Sequence, residues 1–131
     1  MRLQPYAQVD DTPFTATPET VIARRGPAPR MQRNNVALNE LDYGDVVYRF
    51  QDSGRLEEVT RRIAVLYLVE AGKVTDVPLA GLPAFVRAHD AQAFERAGFL
   101  VSPRYGLAFV PAEPGWVTAL AAHCIDSWRA L

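Results

Sequence analysis

Short apolar runs separated by tight glycine turns dominate the middle of the chain, from Tyr43 to Val77. Four of these runs, at residues 46–50, 56–60, 65–69 and 73–77, have the length and β-branched or aromatic content of strands. The turns Asp52-Ser53-Gly54 and Glu70-Ala71-Gly72 separate two pairs of them. Strands joined by such short turns pair antiparallel, so this region predicts part of an antiparallel sheet.

Three segments carry helical patterns. The first is residues 18–25, where Thr17 suits the N-cap and Gly26 suits the residue just past the end. The second begins at residue 81 or 82 and ends near His89, with a further helical turn or two over residues 91–97. The third runs over residues 116–129, where the apolar positions recur at helical spacing: Trp116 or Val117, Leu120, Ala121, Cys124, Ile125 and Trp128.

The remaining segments predict strands and loops. Residues 3–9 alternate like an edge strand, because Pro5 cannot donate to an interior ladder. We expect a loop over residues 28–35, a strand over 36–41, and a hairpin formed by 99–101 and 107–110. The expected fold is one α+β domain over residues 1–131, with a central antiparallel sheet flanked by short helices and a C-terminal helix.

Composition narrows the classes of partner. The 131 residues include 14 basic and 15 acidic side chains, so no overall field attracts nucleic acid or an anionic membrane. One cysteine excludes an intrachain disulfide, and no apolar run approaches the roughly 20 residues of a membrane helix. The first residues also lack the apolar stretch of a secretory signal. We therefore expect a cytoplasmic monomer or dimer that binds neither nucleic acid nor membrane.

Nucleophile chemistry is suggested by His123, Cys124 and Asp126, which lie close together in the sequence. Neighbours on a helix point about 100° apart, so His123 cannot readily orient Cys124 as a base must. Asp126 could instead bond the His123 ring. The simpler interpretation makes Cys124 a small buried residue. A small enzyme that uses Cys124 with His123 or His89 remains the alternative.

Metal, phosphate and cofactor motifs are missing. Glu40, Asp42 and Asp45 surround a turn, but they lack the spacing of a calcium loop. Glycine-rich phosphate loops are absent, and Ser102 lies outside a nucleophile elbow. The basic cluster Arg24, Arg25, Arg30 and Arg33 has no interleaved aromatic residues, so it favours a solvated loop over nucleic-acid binding. We predict no catalytic residue, no metal and no cofactor.

Acidic and aromatic positions predict a surface for a protein partner. We call the acidic positions the acidic rim and expect them to face basic groups of that partner: Glu40, Asp42, Asp45, Glu57 and Glu58. Tyr105 and Trp116 follow turn residues, where an aromatic side chain is often exposed and can anchor an interface. The sequence therefore favours binding over catalysis.

Two resemblances bear on function. Residues 18–27, followed by 43–50 and 54–56, resemble small outer-membrane assembly lipoproteins of the SmpA/OmlA type over about a third of the chain, but no cysteine near the N-terminus could carry lipid. The whole chain, including residues 98–103 and 105–109, is similar in size and layout to small bacterial immunity proteins that neutralise toxins. That resemblance implies a non-catalytic protein that occludes a toxin's active surface. A scaffolding module that self-associates through an edge strand at residues 3–9 is another alternative.

Overall fold

Strands outnumber helices in the computed structural model, which describes all 131 residues. Helix accounts for 19% of the residues and strand for 41%, and the α+β prediction is confirmed. The strands are β1 Arg2–Gln4, β2 Gln8–Val9, β3 Thr12–Pro13, β4 Arg30–Arg33, β5 Asn39–Asp42, β6 Val46–Phe50, β7 Leu56–Arg62, β8 Val65–Glu70, β9 Lys73–Pro78, β10 Phe94–Arg96, β11 Phe99–Ser102, β12 Leu107–Phe109 and β13 Trp116–Leu120. The helices are α1 Pro18–Arg25, α2 Leu82–His89 and α3 Cys124–Arg129. None of them combines the length and the apolar character needed to cross a membrane.

The strands form two sheets. An eight-stranded sheet has the order β10-β11-β12-β13-β7-β6-β5-β4, and every neighbouring pair in it is antiparallel. A second sheet, which the sequence did not predict, has the order β3-β2-β1-β8-β9. Its β1 and β8 pair in parallel. The chain passes from one sheet to the other between β7 and β8, so the four central strands are divided between them.

One face of the eight-stranded sheet packs on the main core. Side chains alternate across a strand, and Val46, Tyr48 and Phe50 of β6 all point into this core. The same cluster takes Leu66 and Leu68 from β8 of the second sheet, and further residues from α1 and α2. The core therefore joins both sheets, and its apolar burial is the main stabilising contribution to the fold.

The opposite face of the eight-stranded sheet is only partly covered. Here α3 supplies Cys124 and Ile125, which pack on Val101, Ala108 and Leu120 of the sheet. Strand alternation places Arg49 of β6 on this same face, away from the main core, because its neighbours Tyr48 and Phe50 are core residues. This half-covered face carries the site described below.

Several local predictions are confirmed. Helix α1 has the expected boundaries: the Thr17 hydroxyl accepts a hydrogen bond from the Thr20 backbone N–H at 3.3 Å, and Gly26 has a positive φ of 83°. Helix α2 and the β11–β12 hairpin lie where they were expected. Helix α1 is specified by its caps, α2 by a proline in its first turn, and the hairpin by its turn, so these signals lie within a few residues of each element.

The prediction of a helix over residues 116–129 is wrong for its first half. Residues 116–120 form β13, which pairs with β12 on one side and β7 on the other. Val117 and Thr118 are β-branched, and two flanking strands satisfy their backbone groups. Only Cys124–Arg129 is helical. The apolar spacing was compatible with either structure, and pairing with β7 decides between them.

Four further predictions need correction. Residues 94–96 form β10 instead of helix, and Arg30–Arg33 form β4 within the expected loop. The strand expected at 36–41 lies at Asn39–Asp42. Residues 3–9 are not an edge strand, because they contain β1, a turn at Tyr6 with a φ of 63°, and β2. Since β1 lies between β2 and β8, the scaffolding hypothesis loses the edge on which it depended.

The turn between β11 and β12 is anchored by buried polar groups. The Ser102 hydroxyl donates to Asp90 Oδ2 at 2.7 Å, and the Arg104 backbone N–H donates to the same oxygen at 3.1 Å. Gly106 ends this turn with a φ of 62°. A Cβ there would lie 2.9 Å from Cε1 of Tyr6, so the ring excludes any larger residue.

Candidate functional site

A cleft of about 280 Å³ lies on the half-covered face of the eight-stranded sheet. We call it the tryptophan cleft, since both tryptophans of the chain line it. Its lining residues come from β6, β7 and β13, from the β11–β12 hairpin and the segment after it, and from α3: Arg49, Glu58, Thr60, Phe99, Ala108, Phe109, Val110, Glu113, Trp116, Thr118 and Trp128. Strand pairing places the polar members side by side, because Arg49 is opposite Glu58 and Thr60 is opposite Thr118.

A continuous polar network forms the floor of the cleft. Gln32 donates to Glu40 Oε1 at 2.7 Å, and Arg49 Nε donates to Glu40 Oε2 at 2.7 Å. The other end of the Arg49 guanidinium donates to the Thr60 hydroxyl at 2.5 Å, and Thr60 bonds Thr118 at 2.8 Å. The network crosses five neighbouring strands, from β4 to β13. It therefore fixes the Arg49 side chain in a single position.

Glu40 has the most tightly bound carboxylate of this network. Burial by itself would raise its pKa, but hydrogen bonds from Gln32, Arg49 and Asn34, together with the charge of Arg49, hold the pKa below its ordinary value. The folded protein therefore favours ionised Glu40. Because Arg49 is neutralised by this contact, it does not make the cleft electropositive.

Glu58 is the carboxyl group on the cleft side of β7. It lies 3.8 Å from Arg49, a longer contact than the one between Arg49 and Glu40. Burial raises the pKa of Glu58, and the Arg49 guanidinium and the Trp128 indole oppose that rise. Glu113 adds a second carboxyl group, on an exposed segment of the lining. With Arg49 already bound to Glu40, acidic groups are in excess at this cleft.

Aromatic rings form the walls of the cleft. Trp116, at the start of β13, is 41% exposed, which confirms the expectation that it is open to solvent. Trp128 of α3 packs edge-on against Phe99, with the ring centroids 5.1 Å apart. Phe109 also borders the cleft, but its ring is buried in the main core. The rings of Phe99, Trp116 and Trp128 are therefore the ones available to a side chain that enters from solvent.

The acidic rim predicted from the sequence is not one surface. Glu58 lines the tryptophan cleft, and Glu40 is buried beneath it in the Arg49 network. Glu57 is buried and contacts His123 and Cys124. Asp42 accepts from the Gly44 backbone N–H at 2.8 Å in its turn, and Asp45 is exposed beyond it. Only Glu58 and Trp116 of the predicted partner-binding residues meet in the cleft.

The expected exposure of Tyr105 is wrong. Its ring is fully buried and packs against Phe85 with the centroids 5.5 Å apart. The Tyr105 backbone N–H donates to Ser102 Oγ at 3.2 Å, so the turn draws the residue inward. A position at a hairpin tip did not indicate exposure here because α2 covers it.

Three potential metal or nucleophile groups converge where β7 meets α3. Cys124 Sγ donates to Glu57 Oε2 at 2.9 Å, and the His123 ring Nε2 contacts the same carboxylate oxygen. Burial and the Glu57 carboxylate raise the pKa of the Cys124 thiol far above its ordinary value. His123 meets Glu57 instead of Asp126, which is the partner that the sequence suggested. The other histidine, His89, stacks on Phe85 at 4.5 Å.

Sequence reasoning missed most of the cleft. Arg49 was noted only as part of a strand, although a cation in the otherwise apolar run Val46–Phe50 was a usable signal for a partner on a neighbouring strand. Thr60, Thr118 and Trp128 gave no such signal. Thr118 and Trp128 lie 58 and 68 positions after Thr60 in the sequence. The pairing of β7 with β13 brings Thr118 beside Thr60, and the packing of α3 on the sheet brings Trp128 to the cleft.

Comparisons of the chain with protein-family models, with curated proteins and with solved structures found no match. The two resemblances drawn from the sequence therefore stay predictions.

Proposed function

We propose that this protein is a non-catalytic binding module that receives a basic side chain of a protein partner in the tryptophan cleft. The observation that carries the proposal is the lining itself, where the carboxyl groups of Glu58 and Glu113 share one cleft with the rings of Trp116 and Trp128. Carboxylates and aromatic faces both attract cations. A lysine or arginine side chain has the charge and the long apolar stem that this lining complements.

The charge distribution favours a cation over an anion. The only basic residue in the lining is Arg49, and its shorter ion pair is the one with Glu40, at 2.7 Å. An anionic ligand would have to compete with Glu40 for Arg49. A cationic one instead meets the exposed Glu113 first and then the half-buried Glu58, which contacts Arg49 only at 3.8 Å. Size supports the same conclusion. Sites for drug-sized ligands occupy about 300–1,000 Å³, so a cleft of about 280 Å³ suits one side chain better than a large cofactor.

The alternative of a cysteine-dependent enzyme has less support. A nucleophilic cysteine needs a thiolate, and the Cys124 thiol is buried beside a carboxylate that raises its pKa. Binding of a basic side chain in the tryptophan cleft needs no thiolate. The proposal therefore assigns no catalytic role to Cys124, His89 or His123.

The resemblance in layout extends the proposal to a toxin-immunity role in the cytoplasm. In that form, the cleft would capture a lysine or arginine at the active surface of a toxin and so occlude it. We expect the protein to co-purify with the product of an adjacent gene and to protect cells from it. Protection that persists in a Glu58→Gln/Glu113→Gln double variant would contradict the role of the cleft, and absence of any complex or protection would contradict the immunity role.

Tryptophan fluorescence tests the binding proposal directly, because both tryptophans of the chain line the cleft. The probe is an acetylated tetra-arginine peptide, with tetra-glutamate as the charge-reversed control. We expect a saturable change with tetra-arginine that weakens as salt rises. Glu58→Gln and Glu113→Gln should each weaken binding about three- to tenfold, which corresponds to about 0.7–1.4 kcal/mol.

A matched variant separates local from general charge effects. Glu19→Gln removes the same charge from an exposed position in α1, outside the cleft lining, and should leave the affinity unchanged. The proposal fails if tetra-glutamate binds as well as tetra-arginine, or if Glu19→Gln weakens binding as much as Glu58→Gln does.

A further inference from the structure

The polar cluster where β7 meets α3 has the composition of a metal site. Glu57, His123 and Cys124 each present one donor atom, and these atoms lie within 4.8 Å of one another. We propose that the Glu57 carboxylate, the His123 imidazole and the Cys124 thiolate bind one Zn²⁺ ion. The site is separate from the tryptophan cleft, since none of the three residues lines that cleft.

Donor chemistry selects zinc. Thiolate sulfur, imidazole nitrogen and carboxylate oxygen are the three ligand types that proteins use for Zn²⁺, with bonds of about 2.0–2.3 Å. Hard cations such as Ca²⁺ and Mg²⁺ prefer oxygen alone. One thiolate and one carboxylate supply two negative charges, which balance a divalent ion, and the thiol proton leaves to solvent as the metal binds.

The three donor atoms already lie together, and the partly exposed His123 ring, whose Nε2 contacts Glu57 Oε2, would move outward to admit the ion. Bonds of that length place the donor atoms of a tetrahedral site roughly 3–4 Å apart. Cys124 Sγ already lies 2.9 Å from Glu57 Oε2. The Ala121 backbone N–H donates to the Glu57 carbonyl at 2.9 Å, so the segment just before α3 is held against β7 independently of the side chains. The second Glu57 oxygen lies 3.4 Å from Arg55, which leaves Oε2 as the ligating atom.

Burial defines how the ion would enter and what completes its coordination. Glu57 and Cys124 are buried, whereas the His123 side chain is 34% exposed. The histidine side is therefore open to solvent, and the fourth tetrahedral position would hold water. A bound ion would link α3 to β7 and so fix the helix that carries Trp128.

Cobalt substitution tests the site on the intact protein. Co²⁺ replaces Zn²⁺ in such sites and gives a near-ultraviolet charge-transfer band only when a thiolate is bound. We expect one equivalent of Co²⁺ to produce this band together with the strong visible absorption of a tetrahedral ion, and one equivalent of Zn²⁺ to abolish both. Because this readout uses the unaltered protein, it does not depend on whether any variant folds.

Variants assign the ligands. Cys124→Ser should remove the charge-transfer band, and His123→Gln should weaken Zn²⁺ affinity at least about 100-fold, since even outer residues of zinc sites contribute about 10–100-fold. His89→Gln, which removes the only other histidine, should bind like the unaltered protein. Absence of stoichiometric uptake, cobalt binding without a thiolate band, or equal losses in His89→Gln and His123→Gln would each overturn the proposal. If Cys124→Ser fails to fold, the partly exposed His123 position still decides the outcome.

Discussion

Replacing Arg49 with methionine tests the polar network beneath the tryptophan cleft. Methionine keeps the apolar stem but removes the guanidinium that bonds Glu40 and Thr60. The Glu40 side chain is 9% exposed, so its carboxylate would be left nearly without solvent and without its cation. A buried charge that loses its partner is strongly unfavourable, so we expect Arg49→Met to destabilise the protein.

The magnitude follows from the exposure of the pair. Removal of one partner from a fully buried ion pair costs about 3–5 kcal/mol. Because the Arg49 side chain is 21% exposed, solvent screens part of this interaction, and Gln32 still donates to Glu40 at 2.7 Å. We therefore expect a loss of about 2–4 kcal/mol at pH 7. That is a large share of the stability of a domain, which is commonly about 5–15 kcal/mol.

The loss should also depend on pH. In the unaltered protein the pKa of Glu40 is held below its ordinary value of 4.5, so its contribution to stability is complete above that value and is lost as pH falls through the lower folded pKa. In Arg49→Met, the buried carboxyl can protonate without losing a cation. The stability difference between the two proteins should therefore narrow as pH falls below about 4.5.

Urea unfolding measured at pH 7 and in acid provides the assay, with unchanged m-values as the check on two-state behaviour. Arg30→Met is the matched control, because Arg30 is an exposed residue of β4, and it should change stability by no more than about 0.5 kcal/mol. The reasoning is refuted if Arg49→Met costs less than about 1 kcal/mol at pH 7, or if its cost does not change with pH.

Three further predictions concern the turns and the buried thiol. Gly106→Ala should lower the free energy of unfolding in urea by about 2–4 kcal/mol, because the new Cβ would lie 2.9 Å from the Tyr6 ring. Gly72 also has a positive φ but no atom within 4 Å of such a Cβ, so Gly72→Ala should cost only about 1 kcal/mol. Equal losses in the two variants would contradict the steric argument. Ser102→Ala should cost about 1.5–3 kcal/mol by removing a donor from buried Asp90, and a neutral result in the same assay would contradict that role. Cys124 in the folded, metal-free protein should react with a thiol reagent many times more slowly than in urea, and equally fast labelling would revive the enzyme alternative.

The sequence was sufficient where short-range signals specify an element. Helix α1 begins after the Thr17 cap and ends before Gly26, as expected, because these residues satisfy the helix ends locally. Residues 116–120 show the opposite case. Their apolar spacing fits a helix, yet β13 is stabilised by pairing with β7, whose residues lie more than 50 positions away. Contacts of that range are absent from any local pattern.

The residues of the candidate site show the same contrast between local signals and long-range contacts. Glu58 was identified from its charge and Trp116 from its position after turn residues, and the structure places both in one cleft. Arg49 and Trp128 could not be assigned to it, since their proximity to Glu58 depends on strand register and on the position of α3. Likewise, the spacing of His123 and Cys124 indicated no metal motif because the third donor, Glu57, lies 66 positions before His123.

Indole nuclear magnetic resonance tests the central claim most directly. The chain has two tryptophans, so a ¹H–¹⁵N spectrum contains two indole N–H signals, and both belong to the cleft. We expect tetra-arginine to shift both signals along saturable curves with one shared dissociation constant, and Glu58→Gln to weaken that constant. Indole signals that stay in place while other residues respond to the peptide would contradict recognition of basic side chains by this cleft.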